Sequence, residues 1–158
     1  MTTEQEALDR DRTAVLIMDF QNDIVNSVAQ DPQRVVQKAS LVLNGARQVG
    51  IPVIYVVHRG GRFEDPSAGA EIHPGVLPAP GERVIAKTKA GPFSTTGLDV
   101  ILREMGRDTL VLMGVATSGC VLSASRWAAD VNAMRLDPLP GAGSNGSDAP
   151  ACATSSFA

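Results

Sequence analysis

Three short stretches of the sequence are apolar almost throughout, and they constrain the fold more than any other feature. They are residues 13–18 (TAVLIM), 53–57 (VIYVV) and 109–113 (TLVLM). Uninterrupted rather than alternating hydrophobicity is typical of parallel strands that are covered on both faces. These stretches therefore predict buried strands in the interior of one sheet, with helices packed on both sides.

The segments between the predicted strands indicate helices and one further strand. Apolar residues recur at helical spacing within 32–50 and 98–105, and a third helix is predicted over 118–131. A short apolar stretch at 84–86 predicts another strand, ahead of Lys87. Alternation of strands and helices predicts an α/β domain, a three-layer Rossmann-like domain with a mainly parallel sheet.

The pattern changes after residue 131. The remaining sequence is dominated by Pro, Gly, Ser and Ala and has no strand-like run, so we expect an irregular or disordered tail over 132–158 after a domain over 1–131. A domain of this class normally continues into another strand and a closing helix. We expect this C-terminal strand and helix to be missing, and a truncated or frame-shifted version of a longer protein is one hypothesis.

Length, charge and cysteine content exclude several classes of protein. A chain of 158 residues suits one domain, and a net charge of −3 without a Lys/Arg cluster argues against a nucleic-acid partner. No apolar stretch approaches the roughly 18 residues that span a bilayer, and no signal peptide is visible. Cys120 and Cys152 are too few for a disulfide framework. We therefore expect a cytoplasmic protein without a membrane partner.

Polar residues follow the predicted strands. Asp19, His58 and Lys87 each end a strand, and the turn 114–120 follows the strand at 109–113. Ligands of open parallel sheets bind beyond the carboxyl ends of the strands. The sequence therefore predicts one crevice that contains these groups. The long connection 59–83, which is rich in Gly, Pro and charge, is of a kind that is usually functional or mobile.

Cys120 is a candidate nucleophile in this crevice. A position near the start of a helix favours the thiolate, and Lys87 nearby would lower the pKa of the thiol further. Asp19 would act as general base. Lys89 competes with Lys87 for the role of the cation. Each residue has an ordinary alternative: a small buried side chain for the cysteine, a helix cap or surface charge for the aspartate, and a solvated side chain for the lysine.

A metal site is the next alternative. His58 and His73 share the long connection with Glu64, Asp65 and Glu71, which are possible ligands. No Asp-x-His pair occurs, so a solvated loop is the better interpretation and we expect no metal. Glycine-rich nucleotide motifs do not occur either, and we expect no cofactor.

Three segments resemble the isochorismatase-like cysteine hydrolase family. They are AVLIMDFQND around Asp19, VIAKTKAGPFSTTGLD around Lys87 and LMGVATSGCVLSASRWAAD around Cys120. They occur in the order found in the family, and the resemblance covers residues 13–131. It implies a Rossmann-like fold in which Cys120 is the nucleophile, Asp19 the base and Lys87 the electrostatic partner.

The resemblance implies further features of the site. It implies a cis peptide between Val115 and Ala116, which would direct the N–H groups of Ala116 and Cys120 at an oxyanion. Phe93 matches a family position near the substrate pocket, and Ile24 is a second candidate for its lining. The Asp-x-His metal site of some family members is missing here.

The predicted function is hydrolysis of a small amide or ureido substrate at its C–N bond through a thioester on Cys120. Members of the family are usually oligomers, so the resemblance also implies a homo-oligomer. One alternative is a non-catalytic or truncated homologue that acts as a binding or oligomerisation module. Another is a redox-responsive thiol protein, which the lack of a nearby resolving cysteine disfavours.

Overall fold

The computed structural model describes the backbone of residues 8–131, 134–138 and 153–157 and the side chains of residues 8–128. Its sheet has the strand order β3-β2-β1-β4-β6-β5. Neighbouring strands among β1 to β4 are parallel. The strands are β1 (Thr13–Met18), β2 (Val53–His58), β3 (Arg83–Lys87), β4 (Thr109–Gly114), β5 (Met134–Pro138) and β6 (Ala153–Phe157).

Four α-helices occur in the described ranges: α1 (Asn22–Val28), α2 (Pro32–Gln48), α3 (Leu98–Glu104) and α4 (Leu122–Val131). The start of α2 follows from its sequence, since Pro32 occupies the first turn and the Asp31 carboxylate accepts the N–H of Arg34 at 3.0 Å. The segment of α1 was not among the helices predicted from the sequence. It is helical, and Val25 is its one buried residue. None of these helices is long and apolar enough to cross a membrane.

Two apolar clusters, one on each face of the sheet, form the core and confirm the three-layer α/β arrangement. Alternate residues of β1, β2 and β4 enter opposite clusters, so each strand is buried on both faces. The first cluster includes Val15, Ile17, Tyr55, Val111 and Met113 of the sheet, Val25 of α1 and Val36, Ala39 and Leu43 of α2. The second includes Leu16, Met18, Ile54, Val56 and Leu112, Leu98 and Leu102 of α3, and Ala124 of α4.

The C-terminal part of the chain differs from the sequence prediction in two places. Where we expected irregular chain over 132–158, β5 and β6 are strands and pair with each other in antiparallel fashion. β6 also pairs antiparallel with β4. A free edge of β4 offers unpaired N–H and C=O groups, and backbone pairing of this kind needs no apolar alternation in the added strand. The other residues of this segment, Cys152 among them, lie outside the described residues.

Candidate active site

Asp19 lies at the point where the chain leaves β1. Its φ of 61° is positive, a backbone conformation that aspartate tolerates better than most residues. Its N–H donates to the carbonyl of Val56 at 2.9 Å and so extends the pairing of β1 with β2. The strand end and the turn together place the carboxylate at the carboxyl edge of the sheet.

Lys87 ends β3 and forms an ion pair with Asp19, with 3.0 Å between Nζ and Oδ2. The lysine side chain is 2% exposed and the aspartate side chain 9%. Nζ also donates to the carbonyl of Lys89 at 3.0 Å. Lys89 itself is exposed, so the structure makes Lys87 the buried cation of the two. Lysine is rarely buried unless it is paired, so this pair is unusual for its residue types.

Cys120 lies in a π-helical turn, Thr117–Val121, that connects β4 to α4. Its free thiol is buried, and Sγ lies 3.6 Å from the carbonyl oxygen of Ala116. The peptide between Val115 and Ala116 is cis. π-Helical turns occur frequently at functional sites. The turn therefore places the thiol at the same edge of the sheet as Asp19. The N–H groups of Ala116 and Cys120, which the resemblance assigned to an oxyanion hole, lie at this edge too.

Gly114 makes the position of the thiol possible. A Cβ atom on this residue would lie 2.5 Å from Sγ of Cys120 and 2.8 Å from Cγ2 of Val121. Both distances are shorter than any stable contact, so the close approach of β4 to the turn requires glycine. The turn 114–120 was predicted to lie in the crevice, but the need for glycine at its first position was not, although that position at a strand end ahead of the cysteine was a usable signal.

Burial has the largest effect on the pKa values of Asp19 and Cys120. It raises the pKa of Asp19, against the opposing charge and hydrogen bond of Lys87 and a hydrogen bond with Cys120. Burial also raises the pKa of the Cys120 thiol, and the charge of Asp19 and its hydrogen bond raise it further. Lys87 and the N–H of Val121 act in the other direction without cancelling this effect.

The pKa of Cys120 corrects one prediction. From the sequence we predicted that the helix start and Lys87 favour the thiolate. The structure instead favours the neutral thiol, because desolvation and the carboxylate beside it outweigh the cation. The resting site accordingly contains a neutral thiol beside an ion pair.

The other predicted groups lie at different distances from this centre. Phe93 is buried in the same cluster as Cys120, where its ring stacks on Trp127 with centroids 4.0 Å apart. Ile24 is partly buried and packs against the cluster on the opposite face of the sheet. The assignment of either residue to a substrate pocket remains a prediction.

His58 ends β2 and pairs in register with Lys87, so it borders the site. Its ring lies edge-on to Phe63, with centroids 5.8 Å apart. Burial lowers the pKa of His58, and the charge of Lys87 lowers it further. The ring of His73 accepts the N–H of Gly75. Among the residues with described side chains, no His, Cys, Asp and Glu group is arranged to hold a metal ion.

Gln21 is a second residue that the sequence analysis missed. It is fully buried, and its side-chain amide makes three hydrogen bonds. They connect the end of β2 and the connection after it to the turn that carries Asp19. Its place three residues after the end of a strand was visible in the sequence, but its backbone partners are distant along the chain.

Comparison with known proteins identifies the family of the chain. The model of the isochorismatase domain matches residues 13–132. The uncharacterized isochorismatase family protein YddQ of Bacillus subtilis is 32% identical over 126 residues, which are 75% of this chain and 70% of that protein. The crystal structure of a putative isochorismatase hydrolase from Oleispira antarctica superposes with a TM-score of 0.71 at 30% identity, covering 79% of this chain and 72% of that one. The chain therefore belongs to the isochorismatase family of hydrolases.

Two relatives with named activities match less of their own length. Streptothricin hydrolase of Streptomyces noursei is 32% identical over 75% of this chain and 45% of its own. N-carbamoylsarcosine amidase of an Arthrobacter species is 28% identical over 56% of this chain and 42% of its own. This chain thus spans less than half of either enzyme. Their names indicate the range of hydrolases to which it is similar.

Proposed function

We propose that the chain is a cysteine-dependent hydrolase that cleaves the C–N bond of a small amide or ureido compound. The observation that carries this proposal is the buried Lys87–Asp19 ion pair, with 3.0 Å between Nζ and Oδ2, at the same edge of the sheet as the buried thiol of Cys120. Burying a charged pair costs free energy, and a domain retains such a pair most readily where the charges serve chemistry. The similarity to an amidase supports the choice of bond.

In the proposed first step the thiol of Cys120 gives its proton to Asp19 while Sγ attacks the substrate carbonyl carbon. The pKa of Asp19 is raised by burial, so the carboxylate is a better proton acceptor than an exposed one. The carbonyl π electrons move to oxygen, and the backbone N–H groups of Ala116 and Cys120 are the proposed donors to this oxyanion. Lys87 keeps Asp19 ionised until the proton arrives.

In the second step the C–N bond breaks. Asp19 returns the proton to the leaving nitrogen, and the acyl group stays on Sγ as a thioester. Water then attacks the thioester carbon and gives a proton to Asp19, which passes it to the departing sulfur. The products are an acid and an amine, or ammonia, and both Asp19 and Cys120 regain their starting protonation.

A panel of small primary amides, N-carbamoyl compounds and ureas tests this proposal, with ammonia or amine release as the readout. The wild-type chain is expected to turn over at least one of these classes. Cys120→Ser and Asp19→Asn are expected to lose on the order of a thousandfold or more in kcat. Intact mass after rapid quenching is expected to show an acyl adduct on the wild type. Unchanged turnover in Cys120→Ser would exclude the covalent mechanism.

A further inference from the structure

The long connection after β2 is not a free loop where it passes Asp19. Its segment 68–73 runs along residues 20–23, and backbone hydrogen bonds connect the two. Asn22 N–H donates to Glu71 O at 2.9 Å, and His73 N–H donates to Phe20 O at 2.8 Å. A further bond at 3.0 Å joins Asp23 N–H to Gly69 O. The segment 68–73 therefore lies against the residues that directly follow the proposed base.

The contact between these two segments is close. A Cβ atom on Gly69 would overlap the carboxylate of Asp23, so the connection approaches α1 as nearly as its backbone allows. The side chain of Asn22 adds a hydrogen bond to Ala68 O at 2.7 Å. The segment 68–73 thus has a defined position at the edge of the site.

Gln21 joins this segment to the sheet. Its Nε2 donates to Ala70 O at 2.8 Å and to His58 O at 3.2 Å, and its Oε1 accepts the N–H of His58 at 2.7 Å. Both amide hydrogens and the amide oxygen are therefore used. The partners belong to the end of β2 and to the segment 68–73, while Gln21 itself is two residues from Asp19.

We propose that Gln21 is a positioning residue of the proposed hydrolase, which holds Asp19 beside Lys87 and Cys120 by fastening the turn after β1 to both β2 and the segment 68–73. Asp19 needs such support, since its φ of 61° is uncommon for a residue with a side chain. Oδ1 of Asp19 has no hydrogen-bond partner among the described residues. Its carboxylate therefore depends on Lys87 and on the surrounding backbone for its position.

This inference rests on the proposed function, and the test separates the two. The variants carry Cys152→Ser, so that Cys120 is the one thiol and its ionisation is followed by the ultraviolet absorbance of the thiolate. Asp19→Asn is expected to lower the pKa of Cys120, because the carboxylate charge raises that pKa. If Asp19→Asn leaves the titration of Cys120 unchanged, the carboxylate is not coupled to the thiol and the proposed function fails.

Gln21→Met tests the positioning role itself. It is expected to lower the pKa of Cys120 in the same direction as Asp19→Asn, because a displaced carboxylate acts on the thiol less strongly. The amide protons of Asn22, Asp23 and His73 are expected to exchange on the order of tenfold faster, as loss of a buried hydrogen bond predicts. An unchanged titration of Cys120 in Gln21→Met, with Asp19→Asn responding, would overturn the inference alone.

Tyr55→Phe is the matched control. Tyr55 is as buried as Gln21 and also fastens the long connection, through a 2.8 Å hydrogen bond from its hydroxyl to Val76 O, but on the face of β2 away from Cys120. It is expected to lower stability without moving the titration of Cys120. If Tyr55→Phe shifts the titration of Cys120 as much as Gln21→Met does, a general loss of stability explains both shifts and the positioning role is wrong.

Gln21→Glu tests the same positioning role if Gln21→Met does not fold. Gln21→Glu retains an acceptor for the His58 N–H, and burial favours its protonated form, which also donates one hydrogen bond. Its effect on the pKa of Cys120 is expected to have the same sign as that of Asp19→Asn and to be smaller. No effect from this variant, with Asp19→Asn responding, would equally overturn the inference.

Discussion

At the carboxyl ends of the strands Lys87 and Asp19 form an ion pair that is almost fully buried, whereas at the amino ends Arg12 and Asp108 form one in contact with solvent. The side chains of the second pair are 55% and 30% exposed, against 2% and 9% for the first. Arg12 precedes β1 and Asp108 precedes β4, so this pair fastens two neighbouring strands at their starts. The same chemistry is thus present in two different environments.

The two ion pairs differ in how far water can hydrate their charges. Water can replace either partner of the Arg12–Asp108 pair, so its net contribution to stability is small. Desolvation of Asp19 raises its pKa despite the neighbouring lysine, so a proton acceptor is retained in a dry site. The ion pair at one edge of the sheet is therefore hydrated and contributes little to stability, whereas the ion pair at the other edge is desolvated, as the proposed proton transfer to Asp19 requires.

Substitution of the two cations gives the largest expected contrast. Lys87→Met leaves Asp19 buried without its partner and is expected to lower the free energy of unfolding by about 3–5 kcal/mol. Arg12→Met is expected to change it little, since its partner remains hydrated. Urea unfolding at neutral pH measures both. The Asp19→Asn/Lys87→Met double variant is the control, and it is expected to recover much of the loss. Equal, small losses from the two single substitutions would show that the buried pair is not special.

Substitution of two glycines by alanine compares how tightly the chain is packed at the site and at the outer surface of the molecule. Gly114→Ala would place a methyl group against Sγ of Cys120, and it is expected to cost about 1–3 kcal/mol through overpacking. For Gly45, in α2, no described residue outside its own helix lies within 4 Å of the position that a Cβ atom would take, and Gly45→Ala is expected to stabilise the helix by about 0.5–1 kcal/mol. Thermal unfolding of both variants checks the opposite signs. A neutral or stabilising Gly114→Ala would mean that the turn moves away from β4 easily.

The hydrophobic pattern was enough to predict β1 to β4 and the edge at which Asp19, Lys87 and Cys120 meet. Buried parallel strands have a sequence signature, and the residue after such a strand lies at a known edge of the sheet. The segments β5 and β6 lacked that signature, because an antiparallel addition to β4 depends on backbone hydrogen bonds rather than on apolar periodicity.

The remaining parts of the site depend on contacts between residues that are distant in sequence. Gln21 is bonded to His58 and Ala70, which lie 37 and 49 residues away, and no local pattern encodes these bonds. The pKa of Cys120 was predicted in the wrong direction for a related reason. Its charge neighbours were visible in the sequence, but the extent of its burial follows only from the packed structure.

The subtlest expected effect is a change of stability with pH that is specific to the buried thiol. The folded-state pKa of Cys120 is raised above its ordinary value of 9.0, so the unfolded chain loses this proton first as the pH rises. The thiol's contribution is therefore complete below pH 9 and is lost towards the higher folded-state pKa, at about 1.4 kcal/mol per pH unit. Urea unfolding of the wild type and of Cys120→Ala between pH 7 and pH 10 isolates it. Tyr55, whose pKa is raised to about 12, is present in both proteins, so its contribution cancels in the difference. If the difference in the free energy of unfolding between the two proteins stays constant up to pH 10, the folded thiol ionises as freely as the unfolded one. The contrast between the buried and the exposed ion pair would then not extend to Cys120.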